Sequence, residues 1–114
     1  MCQRVGLWIN HVEIIFQIIQ SKHRNETFLI GGNYEISNLE LAKQICLILK
    51  EIDNKNFNYE NLIKFVDDRP GHDFRYSVDN KKLKSSIKWK FRNSFDDNLR
   101  KTILWYKQNQ NWWN

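Results

Sequence analysis

Apolar residues recur at helical spacing early in the chain. Val12, Ile15, Phe16 and Ile19 fall three and four positions apart, which predicts an amphipathic helix over residues ~10–22 with those four as its apolar stripe. Ser21-Lys22-His23-Arg24-Asn25 is its polar exit. Thr27-Phe28-Leu29-Ile30 is a short β-prone run stopped by Gly31-Gly32, which predicts a buried strand ending in a tight turn. Ser37 and Glu40 have capping-box spacing, and Leu39, Ala42, Ile45 or Cys46, Leu49 and Ile52 carry one apolar stripe to about residue 52. A polar, Asn-rich connection follows, then a second β-prone run, Ile63 to Val66. The charged loop Asp67 to Asp73 surrounds the only proline, and Arg75 to Val78 is again extended. Asp79 is placed to cap a short helix reaching about Ser86. Ser94 and Asp97 mark another capped start, with Phe95, Leu99, Ile103 and Tyr106 on one face. The aromatic tail Trp112-Trp113 is expected to dock back on the body. Helices alternate with strands, which predicts an α/β fold, and residues 1–114 contain no repeat or linker that would divide a single domain.

Composition narrows the function classes. No apolar run approaches the ~20 residues that span a bilayer, and Met1 to Arg4 lead into no signal-peptide core. The expectation is a soluble, cytoplasmic chain with no membrane partner. The net charge of +5 admits nucleic acid or a small anionic ligand as partner. The positive charges are dispersed, and the densest run, Lys81-Lys82-Leu83-Lys84, reads as a solvated helix face. No nucleic-acid module is present, so nucleic acid is set aside. Cys2 and Cys46 lack metal-ligand spacing. Cys46, in an apolar helix, is expected to be a buried thiol and Cys2 a free terminal one, with nothing that calls for an oxidising compartment.

Two places carry candidate chemistry. In Asp67-Asp68-Arg69-Pro70-Gly71-His72-Asp73, the guanidinium of Arg69 offers a fork that matches a phosphate. Pro70-Gly71 forces a turn that brings Arg69 and His72 to one side, and His72 can donate to an oxygen or stack on a ring. The other place is Asn38, which would sit in a first helical turn beside free backbone N–H groups. Taken singly, each is also what an ordinary charged turn or helix start looks like. His11, His23 and His72 are far apart and suggest no zinc site.

The ordered set of motifs resembles one family. Asp68-Arg69-Pro70-Gly71-His72-Asp73-x-Arg75-Tyr76, followed by Asp79, is similar to the signature loop of the dTDP-glucose 4,6-dehydratases, extended short-chain dehydrogenase/reductase enzymes. Glu26 to Gly32 with Asn38-Leu39-Glu40 resembles their strand-turn-helix. Ile87-Lys88-Trp89-Lys90, the stretch from Ser94-Phe95 to Trp105-Tyr106, and Trp112-Trp113 resemble their last elements. The resemblance runs from about Trp8 onward and implies the small carboxy-terminal substrate-binding lobe of such a dehydratase, without its Rossmann domain. It implies that Arg69 pairs with the diphosphate of a dTDP-sugar nucleotide while Asn38 and His72 fix the ribose-diphosphate region. Arg4 is a further phosphate-binding candidate, although its spacing to Trp8 differs from the family's. His11 matches a helix-start position.

There are departures. About three residues are missing after Trp8, and Lys88 stands where the family has glycine before its tryptophan. The family reaction uses NAD, a glycine-rich turn, a Tyr-x-x-x-Lys pair and an acid/base carboxylate pair. No Gly-x-Gly-x-x-Gly follows a strand here, and Tyr34, Tyr59 and Tyr76 have no lysine four residues on. The resemblance therefore implies that NAD belongs to the full-length family and is not expected to bind this chain alone. It implies a catalytically inactive chain that works with a separate Rossmann half or as a homo-oligomer. The alternative is a non-catalytic interaction module or a degenerate gene product.

Overall fold

The computed structural model describes residues 2–5, 8–32, 34–90 and 93–112, with side chains from Asn10 on. Strand β1 (Cys2–Val5) leads into helix α1 (Trp8–Gln20), and strand β2 (Tyr34–Ser37) runs directly into helix α2 (Asn38–Asp53). A 3-10 turn (Tyr59–Leu62), the two-residue strand β3 (Arg75–Tyr76), helix α3 (Lys81–Ile87) and helix α4 (Phe95–Gln108) follow, and a last 3-10 turn covers Gln110–Trp112. The sheet order is β2-β1-β3, with β1 antiparallel to β2 and parallel to β3. The fold is thus helix-rich α/β, with a small mixed sheet. No described helix is long and apolar enough to cross a membrane.

Both predicted capping boxes form. Ser37 Oγ accepts from the Glu40 N–H at 3.2 Å, while Ser37 N–H donates to Glu40 Oε2 at 3.1 Å. Ser94 and Asp97 repeat the arrangement at 3.1 and 3.3 Å. Each box satisfies donors that a helix start otherwise leaves unpaired. The cap of α3 falls on Asn80 and not on Asp79, but Asp79 Oδ1 still accepts from the Lys81 N–H at 2.9 Å. Asn80 is buried and donates instead to the Gly31 carbonyl at 2.8 Å, a bond across 49 residues that the sequence pattern does not reveal. Gly31 is needed there, since a Cβ would stand 2.5 Å from Val78 Cγ2. At the other end of α3, Lys88 takes the left-handed conformation at φ 54°. That explains the family's glycine at this place, because a left-handed residue with a Cβ costs roughly 1–2 kcal/mol.

The core is built from Ile14 of α1, Leu83 of α3 and Trp89, with Ile18, Phe28, Ile30 and Ile87 against it. This corrects the orientation expected for α1. The stripe Val12, Ile15, Phe16 and Ile19 is exposed, and the buried face is Asn10 and Ile14. In α2 the buried residue is Ile48, with Leu39 at the surface. In α4 Ile103 is buried as expected but Tyr106 is exposed. Helices α2 and α4 pack together, tied by Arg100 to Glu51 and by Lys107 to Asp53, which also accepts from the Tyr59 hydroxyl. Cys46 is half-buried and free rather than fully buried, and burial raises its thiol pKa, with Glu60 adding to the effect. The side chains of Cys2 and Arg4, and all of Trp113, lie outside the described residues. Trp112 meets the Trp105 ring edge-on at 5.3 Å, which lays the tail against α4.

The two predicted strands at 27–30 and 63–66 do not form. Phe28 and Ile30 point into the core and Leu29 out, so the period of a strand survives without a ladder. Phe65 and Val66 are 83% and 86% exposed, so the loop at 67–73 follows no buried strand. A strand exists only where a neighbouring strand takes its N–H and C=O groups in a ladder; here the Thr27 carbonyl accepts from Lys82 Nζ and the Ile63 N–H donates to the Glu60 carbonyl, and neither run joins the described sheet. The chain is elongated, 53 × 35 × 25 Å, with a radius of gyration of 17.1 Å. A compact chain of this length would have about 13 Å. Its accessible surface is 9114 Å², against about 6,700 Å² for a folded monomer of its mass.

Candidate functional site

The turn at Arg69 is closed by its own backbone. His72 N–H donates to the Arg69 carbonyl at 3.2 Å, and Gly71 between them takes φ 73°, a value that glycine adopts without strain. Asp68 then spans the turn. Its Oδ1 accepts from the Arg69 N–H at 3.0 Å and also faces His72 Nδ1. The bond to His72, then the charge of that ring and the Arg69 N–H, holds the Asp68 carboxyl below its ordinary value. Arg69 is exposed, and no described residue pairs with its guanidinium. The structure therefore brings Arg69 and His72 onto one turn, as expected, and leaves the guanidinium fork open to an anion.

Asn38 is the first residue of α2 and is exposed. No hydrogen bond joins it to Arg69 or His72. The sheet nevertheless relates the two places. Ser37, just before Asn38, and Arg75, at the end of the loop, both pair with Cys2 of β1, from opposite sides. The start of α2 and the end of the Arg69 loop thus lie at one end of the sheet, with backbones roughly 10 Å apart across the middle strand. Arg75 closes this gap through Glu35, with Nε to Oε1 at 2.8 Å and NH2 to Oε2 at 2.9 Å. Glu40 already places a carboxylate in the first turn of α2, held below its ordinary pKa by the Ser37 hydroxyl and then the Ser37 N–H. An anion near Asn38 would meet that charge, so the positive charge for an anion has to come from Arg69.

Two features of the site were not legible beforehand. The pairing of Glu35 with Arg75 spans 40 residues and has no local signature. The role of Asp68 did have one, since Asp68 and His72 stand four apart around Pro-Gly, but only the turn geometry shows which side chains meet. Among the described residues no group of three His, Cys, Asp or Glu could hold a metal. The described glycines do not fit NAD. Gly31 is pressed against Val78, Gly32 leads on to strand β2 and Gly71 sits in a turn that opens no helix, so none of the three forms the strand-turn-helix cradle of a dinucleotide.

The fold is a helix-rich α/β unit with a small mixed sheet, and it is shared with dTDP-glucose 4,6-dehydratases of known structure. The chain belongs to the GDP-mannose 4,6 dehydratase family, whose profile matches residues 3–102. It is 40% identical over 108 residues to a dTDP-glucose 4,6-dehydratase of Neisseria meningitidis, covering 91% of this chain and 30% of that protein. A dTDP-glucose 4,6-dehydratase of Haemophilus influenzae is 38% identical over 111 residues, covering 91% of this chain and 33% of that protein. Among solved structures, DesIV of Streptomyces venezuelae, a dTDP-glucose 4,6-dehydratase with NAD and TYD bound, superposes with a TM-score of 0.81 at 29% identity, over 99% of this chain and 33% of that one. The dTDP-glucose 4,6-dehydratase of Bacillus anthracis, in complex with NAD, gives 0.77 at 31% identity, over 92% and 31%. The chain therefore spans about a third of the length of the dehydratases it matches.

Proposed function

We propose that this chain supplies the sugar-nucleotide-binding lobe of a dTDP-glucose 4,6-dehydratase. Arg69 takes the diphosphate, and His72 and Asn38 fix the ribose-diphosphate region. The observation that carries the reading is the open guanidinium of Arg69 on a closed turn, in the loop that ends at Arg75, whose strand shares the sheet end with Ser37, the residue before Asn38. The relatives' identity as dehydratases supports the choice of a dTDP-sugar nucleotide. NAD would be held by a separate Rossmann half, since the glycines described here do not fit it. Hydride transfer needs a positioned cofactor, so the lobe alone turns over no substrate. The free, half-buried thiol of Cys46 suits the reducing cytoplasm.

The test is a two-dimensional amide NMR titration of the isolated chain with dTDP-glucose. Peaks of the 69–72 turn and the start of α2 should shift. Arg69→Ala should weaken binding by roughly 10- to 100-fold, the worth of charge-assisted hydrogen bonds at about 1.5–3 kcal/mol. Dispersed peaks that do not move would sink the binding reading. Co-expression with a Rossmann half should restore formation of the 4-keto-6-deoxy sugar.

The second reading, an interaction module, is favoured by the surface. The excess accessible area is of the size that permanent interfaces bury, about 2,000 Å² and upward. Self-association indifferent to thymidine nucleotides would favour it over the first.

A further inference from the structure

We propose that Asp68 is a positioning residue, which fixes the proton of a neutral His72 ring on Nδ1 and leaves Nε2 as the nitrogen offered to the ligand. The inference rests on the reading of the 69–72 turn as the ribose-diphosphate site.

A carboxylate accepts hydrogen bonds and donates none. Asp68 Oδ1 already takes the Arg69 N–H at 3.0 Å and faces His72 Nδ1, so the ring can bond to it only with Nδ1 protonated. The contact does not arise from chance proximity of two mobile side chains. Gly71 at φ 73° and the Arg69 carbonyl bond to the His72 N–H return the chain on itself, which sets residue 72 opposite residue 68. The same carboxylate oxygen thus joins the backbone that carries Arg69 to the ring of His72. The ring is well covered, with 21% of its side chain exposed, while 70% of the Asp68 side chain is open. Nε2 has no hydrogen-bond partner among the described residues. In the neutral ring it accepts, which suits a sugar hydroxyl. In the protonated ring it donates, which suits a phosphate oxygen. Either way one nitrogen is committed to the protein and the other is free, the division of labour by which a carboxylate orients a working histidine.

The experiment uses the full chain labelled with ¹⁵N in histidine. Long-range ¹H–¹⁵N spectra are recorded at a pH where the ring is neutral, and dTDP is the binding probe. His72 should show a protonated Nδ1 and a bare Nε2. Asp68→Ala should move it toward the Nε2–H form that dominates in free histidine, and weaken dTDP about tenfold. In Asp68→Asn the amide oxygen can still accept both bonds, so this variant should keep the Nδ1–H form and recover most of the affinity. Amide dispersion checks that each variant is folded. An unchanged tautomer in folded Asp68→Ala, or an Nε2–H ring in the parent chain, overturns the inference. A tautomer that responds as expected in a chain that ignores dTDP retains the role of Asp68 and removes the binding reading instead.

Discussion

A serine at a helix start does two jobs in this chain. Ser37 Oγ accepts from the Glu40 N–H and donates to the Glu40 carboxylate at 2.7 Å, and Ser94 does the same with Asp97. Both carboxyls are held below their ordinary values of 4.5 and 3.8 by the serine hydroxyl and then the serine N–H. A depressed carboxyl contributes stability that is complete above its unfolded pKa and is lost as pH falls through the folded one. Thermal unfolding should therefore be flat from pH 7 to about 5 and weaken below roughly 4.5, the ordinary carboxylate range. Ser37→Ala should cost about 1 kcal/mol at neutral pH. Glu40→Gln keeps an acceptor but not a titrating group, so it should make the acid loss shallower. An acid profile unchanged by Glu40→Gln would remove the box from the explanation. Residues at this scale were readable from the sequence because caps are local, three positions apart. The bond from Asn80 to the Gly31 carbonyl was not, since nothing near either residue announces the other.

At the scale of elements, α1 shows what periodicity can and cannot tell. Its spacing located the helix well, yet both of its faces are apolar. The pattern could not choose which one meets α3 and Trp89. The structure buries Ile14 completely and leaves Phe16 58% and Ile19 65% exposed. Ile14→Ala should cost about 2–5 kcal/mol in denaturant unfolding, as for a buried large-to-small change. Phe16→Ala should cost far less in the isolated chain, and Phe16→Glu should reduce concentration-dependent association seen by sedimentation. Equal losses for Ile14 and Phe16 would mean that α1 is rotated from the orientation described. The β-prone runs at 27–30 and 63–66 failed for a related reason. Propensity describes a residue's fit to a pleated surface, but only a paired neighbour makes a strand. The real strands are short, and their partner β1 lies at the very start of the chain, where no hydrophobic pattern marked it. The candidate site was more legible than the sheet, because Arg69, Pro70, Gly71 and His72 are contiguous.

The molecule as a whole is loosely gathered around a small core of α1, α3 and Trp89, beside a three-stranded sheet that α4 meets through Phe95 stacked on Tyr34. Family membership explains the economy. The matched dehydratases are about three times longer, and an interface with their remaining length would account for apolar faces such as that of α1. The stretch from Ile63 to Phe74 has the most telling outcome. It carries no helix or strand, lies largely exposed on either side of the closed 69–72 turn and is apolar at Phe65, Val66 and Phe74, which suits entry into a protease cleft. Limited proteolysis should cut first between Ile63 and Phe74 and spare α2 and α4, and cuts distributed evenly along the chain would contradict this. Inside a cell, the half-life of the polypeptide would then be set by whether something lies over that stretch. Its abundance would follow the supply of a covering partner, and quality control would clear whatever is made in excess.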